Sequence, residues 1–321
     1  MQYGATTLAK YSSAKAPAAM LNAGMHWVRV QVNNRSVETS PGVYDWTATD
    51  AALQPFFLAG MQVILPLQDF ATWWLNGNDL PTAAGMISWG TALIMHYGAL
   101  LAGIELGNEE YAFATGAARD PSVYYAVISQ AYPALHRVAF DLLHLPSQFT
   151  IGCFGYTNYS GTSDGSGGNG DPLTYFLALF QLGALLFMDY VNFHRYSNIF
   201  SAAQQNPGGA PPILAIVGAI NAAQNAVNYA PYKPIRVTEF GWQGFNWGGS
   251  CPNVIGPLLQ AQYTAQLYDL LITAPSVTHA FLYTVDATDA GWQDCHDIYT
   301  LASYPLIAAA VAQRQPGGAT Q

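Results

Sequence analysis

Short apolar runs, rich in Val, Ile and aromatic residues, alternate with longer segments of helical pattern along the whole chain. The strand-like runs are Tyr3–Thr7, Trp27–Val32, Gln62–Leu67, Gly103–Leu106, Phe149–Phe154, Tyr190–His194, Ile235–Glu239 and His279–Val285. Helix-like segments fall between and after them, at Ala14–Ala23, Ala48–Ala59, Thr82–Leu101, Pro121–Leu143, Pro172–Phe187, Pro212–Tyr229, Gly256–Thr273 and Ser303–Gln313. Strands that alternate with helices predict a parallel sheet. Eight such units predict a closed (β/α)8 TIM barrel rather than an open sheet. The strands read as near-continuous apolar runs, as expected when both faces are buried. One α/β barrel domain is therefore expected over residues 1–314, with a Gly-rich tail or linker stub at 315–321.

Local signals agree with these elements. Asp120-Pro121 and Asp171-Pro172 each set an N-capping acid before a proline at the first helical position. Gly24 and Gly60 follow helical segments, where a left-handed residue closes the last turn.

In such a barrel, function sits at the C-terminal ends of the strands. Arg29 lies in the second strand, Gln68 and Asp69 follow the third, and Asn108 and Glu109 follow the fourth. His194 and Tyr196 end the sixth, Glu239 ends the seventh, and Tyr283 and Asp286 lie on or after the eighth. Polar groups thus crowd one rim, while the strands themselves are nearly free of charge. Two carboxylates on one rim, Glu109 and Glu239, are what cleavage of a glycosidic bond needs. One gives and recovers a proton; the other attacks or stabilises an oxocarbenium-like centre.

Composition narrows the picture. Hydrophobic residues make up 51% of the chain and charged residues only 9%, against ~25% charged in an average soluble domain. A large core is affordable and disorder is excluded. The net charge is −9, with ten basic residues and no Lys/Arg cluster. That removes the electrostatic footprint of a nucleic-acid binder and favours a neutral partner. Aromatic residues reach 13%, many of them in predicted loops. There they either pack or stack on sugar rings. Trp74, Trp242 and Trp292, after strands three, seven and eight, are the candidate sugar contacts.

Cysteine usage and targeting signals say less. Cys153 lies in an apolar run and is expected as a buried thiol. Cys251 and Cys295 fall in polar, Gly-containing loops that the barrel would bring to one face, so they are a disulfide candidate, which implies an oxidising compartment. No C-x-x-C pair is present. The chain does not open on a signal peptide. Its low charge and possible disulfide point to a secreted or periplasmic protein whose leader is absent, more than to a cytoplasmic one. Leu173–Met188 carries no charge, but it is broken by Gln181 and Gly183 and falls short of the ~20 residues of a membrane span. Gly165-x-Gly167-x-x-Gly170 fits the dinucleotide fingerprint by letter but begins too far from its strand. Asp164, Asn169 and Asp171 fit no standard calcium loop, and the remaining histidines show no metal-ligand spacing. No metal or cofactor, no membrane partner and no nucleic acid are expected; a monomer is.

The rim residues carry a specific resemblance. Asn108-Glu109 after strand four and Thr238-Glu239-Phe240-Gly241 at strand seven resemble the acid/base and nucleophile motifs of clan A glycoside hydrolases. His194-Arg195-Tyr196 resembles the H-x-Y element that several of those families carry after strand six. Arg29 resembles the strand-two arginine that orients the nucleophile. Pro41-Gly42-Val43-Tyr44-Asp45-Trp46 followed by Asp50 resembles a stretch common before their second helix. Families 5 and 39 are most similar, and the Leu-Gly-Asn-Glu form is similar to families 51 and 79. Two positions depart from the pattern. Glu110 stands where a proline usually follows the acid/base residue, and Tyr283 stands where strand eight usually carries tryptophan.

The resemblance implies a retaining β-glycosidase acting on a β-linked oligo- or polysaccharide. Glu239 would attack the anomeric carbon, and Glu109 would hold the proton because two close carboxyls do not both ionise readily. Arg29 and Tyr196 would keep Glu239 ionised. Asn108 would bond the sugar 2-hydroxyl, and His194 would sit near Glu109 or the sugar. Glu105 is expected to bond within the barrel. Endo action is preferred because aromatics extend along several rim loops. An exo-acting β-glycosidase and a non-catalytic carbohydrate-binding barrel remain as alternatives. Aldol chemistry lacks a rim lysine, since Lys233 precedes strand seven at its wrong end. The paired carboxylates predict an acidic pH optimum; activity flat from about pH 4 to 9 would count against it.

Overall fold

The computed structural model describes residues 1–8, 16–109, 120–157, 171–197, 212–242, 256–283 and 305–314. The strands are β1 (Gln2–Leu8), β2 (Trp27–Asn33), β3 (Gln62–Gln68), β4 (Leu101–Glu105), β5 (Thr150–Gly152, resuming at Tyr156–Thr157), β6 (Val191–Ser197), β7 (Ile235–Trp242) and β8 (Val277–Tyr283). All neighbours among them pair in parallel, and β8 pairs with β1. The sheet runs from the first half of β5 through β4, β3, β2, β1, β8, β7 and β6 to the second half of β5. Both ends of the sheet are therefore one strand, and a Gly152–Tyr190 bridge joins them. The sheet is a closed barrel, as the eight repeats predicted.

Helices α1 (Ala16–Asn22), α2 (Thr47–Leu58), α3 (Ala83–Tyr97), α4 (Pro121–His136), α5 (Pro172–Gln181), α6 (Ile213–Ala226), α7 (Gly256–Ile272) and α8 (Pro305–Ala312) lie between or after the strands. The period-2 rule sorts β2 cleanly. Val28, Val30 and Val32 are buried in the large apolar cluster that the helices share, while Arg29 and Gln31 point the other way and reach Glu239. A second, small cluster of Ile64, Ala102 and Phe281, with Trp27 packed on it, fills part of the barrel. Cys153 is a buried free thiol, as expected, and burial pushes its pKa up.

Several elements end earlier than the pattern suggested; the helix expected over Thr82–Leu101 stops at Tyr97, and Leu101 opens β4. The fifth strand breaks at Gly152 and resumes at Tyr156. The long fourth helix runs as α-helix to His136 and then as π-helix over Arg137–Leu142. The predicted helix Pro172–Phe187 stops at Gln181, because Gly183 turns left-handed at φ 91° and a 3-10 turn over Ala184–Phe187 follows. Hydrophobic periodicity does not register the break in the fifth strand, since both sides stay apolar, whereas Gln181 and Gly183 already interrupt the apolar run in the sequence. Among the described residues, no helix is long and apolar enough to cross a membrane. The tail 315–321 lies outside the described residues.

The predicted caps form. Asp171 accepts from Thr174 N at 2.8 Å, and Asp120 accepts from Ser122 N at 2.8 Å. Asp171→Ala is expected to lower the unfolding free energy by about 1 kcal/mol in urea titration, while Asp171→Asn stays within a few tenths. An equal loss in both variants would place the effect elsewhere than the cap.

Candidate active site

Arg29 organises the rim. Its Nε donates to Glu105 Oε2 at 2.6 Å, its Nη1 to Glu239 Oε1 at 2.5 Å, and its Nη2 to Asn108 Oδ1 at 2.6 Å. One guanidinium therefore ties β2 to the end of β4 and to β7. Gln31, two residues along the same face of β2, donates to Glu239 Oε1 at 2.5 Å. Arg29 and Glu105 have no solvent exposure, Glu239 keeps 3% and His194 1%. Burial pulls the Arg29 pKa down, but Glu105 and Glu239 outweigh it and leave it raised.

Backbone irregularities aim these groups. The register of β7 against both neighbours shifts after Val237. Such a bulge re-aims a side chain. The Thr238 carbonyl accepts from Thr6 Oγ1, two strands away, at 2.8 Å, and Glu239 faces the arginine. At the end of β4, Gly107 takes φ 106° and its N–H donates back to Glu105 O at 3.0 Å. That tight turn needs a residue without Cβ, and it carries Asn108 and Glu109 over the rim.

His194, on β6, completes the group. Its Nδ1 lies 2.6 Å from Glu109 Oε1 and 3.6 Å from Glu239 Oε2. The two partners hold a proton between them, on whichever atom the tautomer places it. Burial lowers the His194 pKa; Glu239 pulls upward and Arg29 downward, and the result is about 4. His194 is thus neutral at neutral pH. Gly155, in the break of β5, lies directly under the imidazole, and a Cβ there would overlap the ring.

Glu109, His194 and Glu239 each offer a ligand atom within 4.8 Å of the others. A divalent metal could be reached by that set. However, the Arg29 guanidinium already sits on Glu239, and a fixed cation there repels a second one. The donor set fits proton transfer better than a resident metal.

The structure thus brings Arg29, Asn108, Glu109, His194 and Glu239 together. Tyr283 ends β8 as a buried residue. Trp74 is half-buried and its Nε1 donates to Glu38 Oε2 at 2.7 Å, which pins it at the end of β3. Glu38, itself buried, also accepts from Asn34 Nδ2 at 3.0 Å and from Gly42 N at 2.8 Å. Tyr196 and Trp242 end β6 and β7, with side chains outside the described residues. Trp292, Glu110, Asp286, the Gly161–Gly170 stretch and the Cys251/Cys295 pair also lie outside them. Sequence reasoning missed Gln31, Tyr190 and Gly155. Two of these had a signal: Gln31 shares the strand face of Arg29, and a glycine beside a strand marks close approach. Tyr190, which donates to Glu105 Oε1 at 3.1 Å, had none.

Solved structures resemble this fold. No family model and no curated protein matches the sequence. A family 39 glycoside hydrolase from the gut symbiont Bacteroides cellulosilyticus WH2 aligns with TM-score 0.71 at 17% identity, over 97% of this chain. The chain spans only 63% of that protein. An endo-beta-1,4-glucanase from Xanthomonas axonopodis pv. citri aligns with TM-score 0.60 at 12% identity, over 97% of this chain and 99% of the other. A GH5_18 protein from Bifidobacterium longum subsp. longum, crystallised with Manb1-4GlcNAc, aligns with TM-score 0.65 at 11% identity, over 98% and 77%. The barrel fold is thus shared with solved glycoside hydrolases, members of families 39 and 5 among them.

A histidine whose folded pKa is depressed loses stability as pH falls. The unfolded chain takes up a proton near pH ~6.5 and the folded one does not until about 4. His194 therefore contributes stability that is fully present above ~6.5 and declines toward pH 4. In an NMR titration, the His194 ring is expected to stay neutral down to about pH 5; a midpoint near 6.5 would contradict the buried placement. Gly155→Ala is expected to displace the ring and raise its midpoint toward ~6.5.

Proposed function

We propose that the protein is a retaining glycoside hydrolase that cleaves β-glycosidic bonds by double displacement, with Glu239 as nucleophile and Glu109 as acid/base. The observation that carries this reading is that oxygens of Glu109 and Glu239 lie within 4.8 Å of one another. Retaining enzymes keep their carboxyls ~5–5.5 Å apart, whereas inverting ones leave ~6.5–9.5 Å for a water.

The chemistry follows from the contacts. Arg29 and Gln31 hold Glu239 Oε1, and Oε2, on the side of His194 at 3.6 Å, is the proposed attacking atom. As the Oε2–C1 bond forms, the C1–O bond to the leaving group breaks and Glu109 delivers its proton to that oxygen. Neutral His194 at 2.6 Å steadies Glu109 and does not compete for charge. In the second step Glu109 takes a proton from water, water attacks C1, and Glu239 leaves as carboxylate. Asn108 Oδ1 accepts from Arg29, which orients its Nδ2 as the donor for a sugar hydroxyl. Tyr196, Tyr283, Trp74, Trp242 and Trp292 are proposed to line the sugar subsites.

The substrate class is a β-linked oligo- or polysaccharide. The glucanase neighbour and the Manb1-4GlcNAc complex support that choice. Aromatics in several rim loops favour endo action, and product sizes from a polysaccharide separate it from exo action. A secreted or periplasmic location suits such a substrate. No cofactor is required by this chemistry.

On a panel of aryl β-glycosides and β-linked polysaccharides, Glu239→Ala is expected to abolish turnover, and azide to restore it with an α-glycosyl azide as product. Undiminished activity in that variant would move the nucleophile elsewhere. Glu109→Ala is expected to slow hydrolysis of poor leaving groups by about 10²–10⁴-fold. A strongly activated aryl leaving group should suffer far less in the first step, because it needs no proton.

A further inference from the structure

Glu105 is a fully buried acid that the double-displacement chemistry does not use. Both of its oxygens are engaged: Oε2 by Arg29 Nε at 2.6 Å and Oε1 by the Tyr190 hydroxyl at 3.1 Å. Tyr190 is in turn held by Arg236, whose guanidinium lies 3.7 Å from the Tyr190 ring centroid. A chain of contacts therefore runs across the barrel from Arg236 through Tyr190, Glu105 and Arg29 to Glu239.

We propose that Glu105 is a positioning residue that shares the Arg29 guanidinium with Glu239, fixing where Arg29 points and how much of its charge the nucleophile feels. The inference deepens the glycosidase reading and rests on it for its kinetic consequence. The physical need arises at the covalent stage. When Glu239 becomes an ester it loses its charge. Without Glu105, Arg29 would then be a buried cation with no counter-charge, which is strongly unfavourable. With Glu105 in place, the guanidinium stays paired through the whole cycle. Glu105 also points Nε away from the substrate, so that the fork of Arg29 presents Nη1 to Glu239 and Nη2 to Asn108.

The charged and titratable groups around Glu105 come from several strands. They are Arg29 on β2, Cys153 after the first half of β5, Tyr190 and His194 at β6, and Arg236 and Glu239 on β7. Removing the Glu105 charge leaves the whole of Arg29 for Glu239, which favours the ionised nucleophile. Removing the Tyr190 hydroxyl concentrates Glu105 on Arg29 and does the opposite.

The test compares the parent with Glu105→Gln and Tyr190→Phe, reading kcat/KM against pH on an aryl β-glycoside. Glu105→Gln keeps the shape and is expected to move the acidic limb down by about one pH unit. Tyr190→Phe keeps the ring on Arg236 and is expected to move that limb up by a few tenths. A merely structural Glu105 would lower stability or kcat and leave both limbs in place, and that result would overturn the inference. Should Glu105→Gln not fold, an unmoved limb in Tyr190→Phe overturns it alone. The titration of the Glu239 side-chain carboxyl by 13C NMR reads the same shift without turnover. If the parent hydrolyses no glycoside but this titration moves as stated, the glycosidase reading fails and the charge sharing stands. If the parent is active and nothing moves, the charge sharing fails by itself.

Discussion

The rest of the site depends on one buried cation. Arg29 has no water to solvate it, so its charge must be met by protein groups, and Glu105, Glu239 and Asn108 meet it. Breaking such a pair leaves an uncompensated charge and costs ~3–5 kcal/mol. Three strands are thus held in a fixed relation by a single side chain. The same contact that secures the barrel's upper interior also keeps Glu239 aimed.

The backbone is shaped around that constraint. A regular β7 would alternate faces and send Glu239 outward from the side Arg236 occupies. The register shift after Val237 reverses this. A regular end to β4 would carry Glu109 away along the strand. The turn at Gly107 bends it across the rim toward His194. Gly155 gives the imidazole the room to lie there. The shift after Val237, the turn at Gly107 and the break at Gly155 each sit beside Glu239, Glu109 or His194.

Much of this was legible in the sequence. The β/α alternation gave the barrel because hydrophobic period reports burial directly, and every predicted strand lies on an observed one. The rim position of Arg29, Asn108, Glu109, His194 and Glu239 followed from counting to the strand ends. Gln31 was readable from its spacing to Arg29 and was overlooked. The role of Tyr190 was not readable, because its hydrogen bond to Glu105 joins residues 85 apart, and no local pattern encodes such a pairing. The break at Gln181 and Gly183 was visible as an interruption of the apolar run, whereas the break within β5 was hidden by apolar residues on both sides.

Covalent trapping tests the double-displacement account most directly. A 2-fluoro-glycoside of the preferred sugar, carrying a good leaving group, should inactivate the enzyme in step with the gain of one fluoroglycosyl mass. Peptide mapping should find that mass on Glu239. Turnover of the parent substrate with no trapped adduct, or an adduct on any other residue, would contradict Glu239 as the nucleophile.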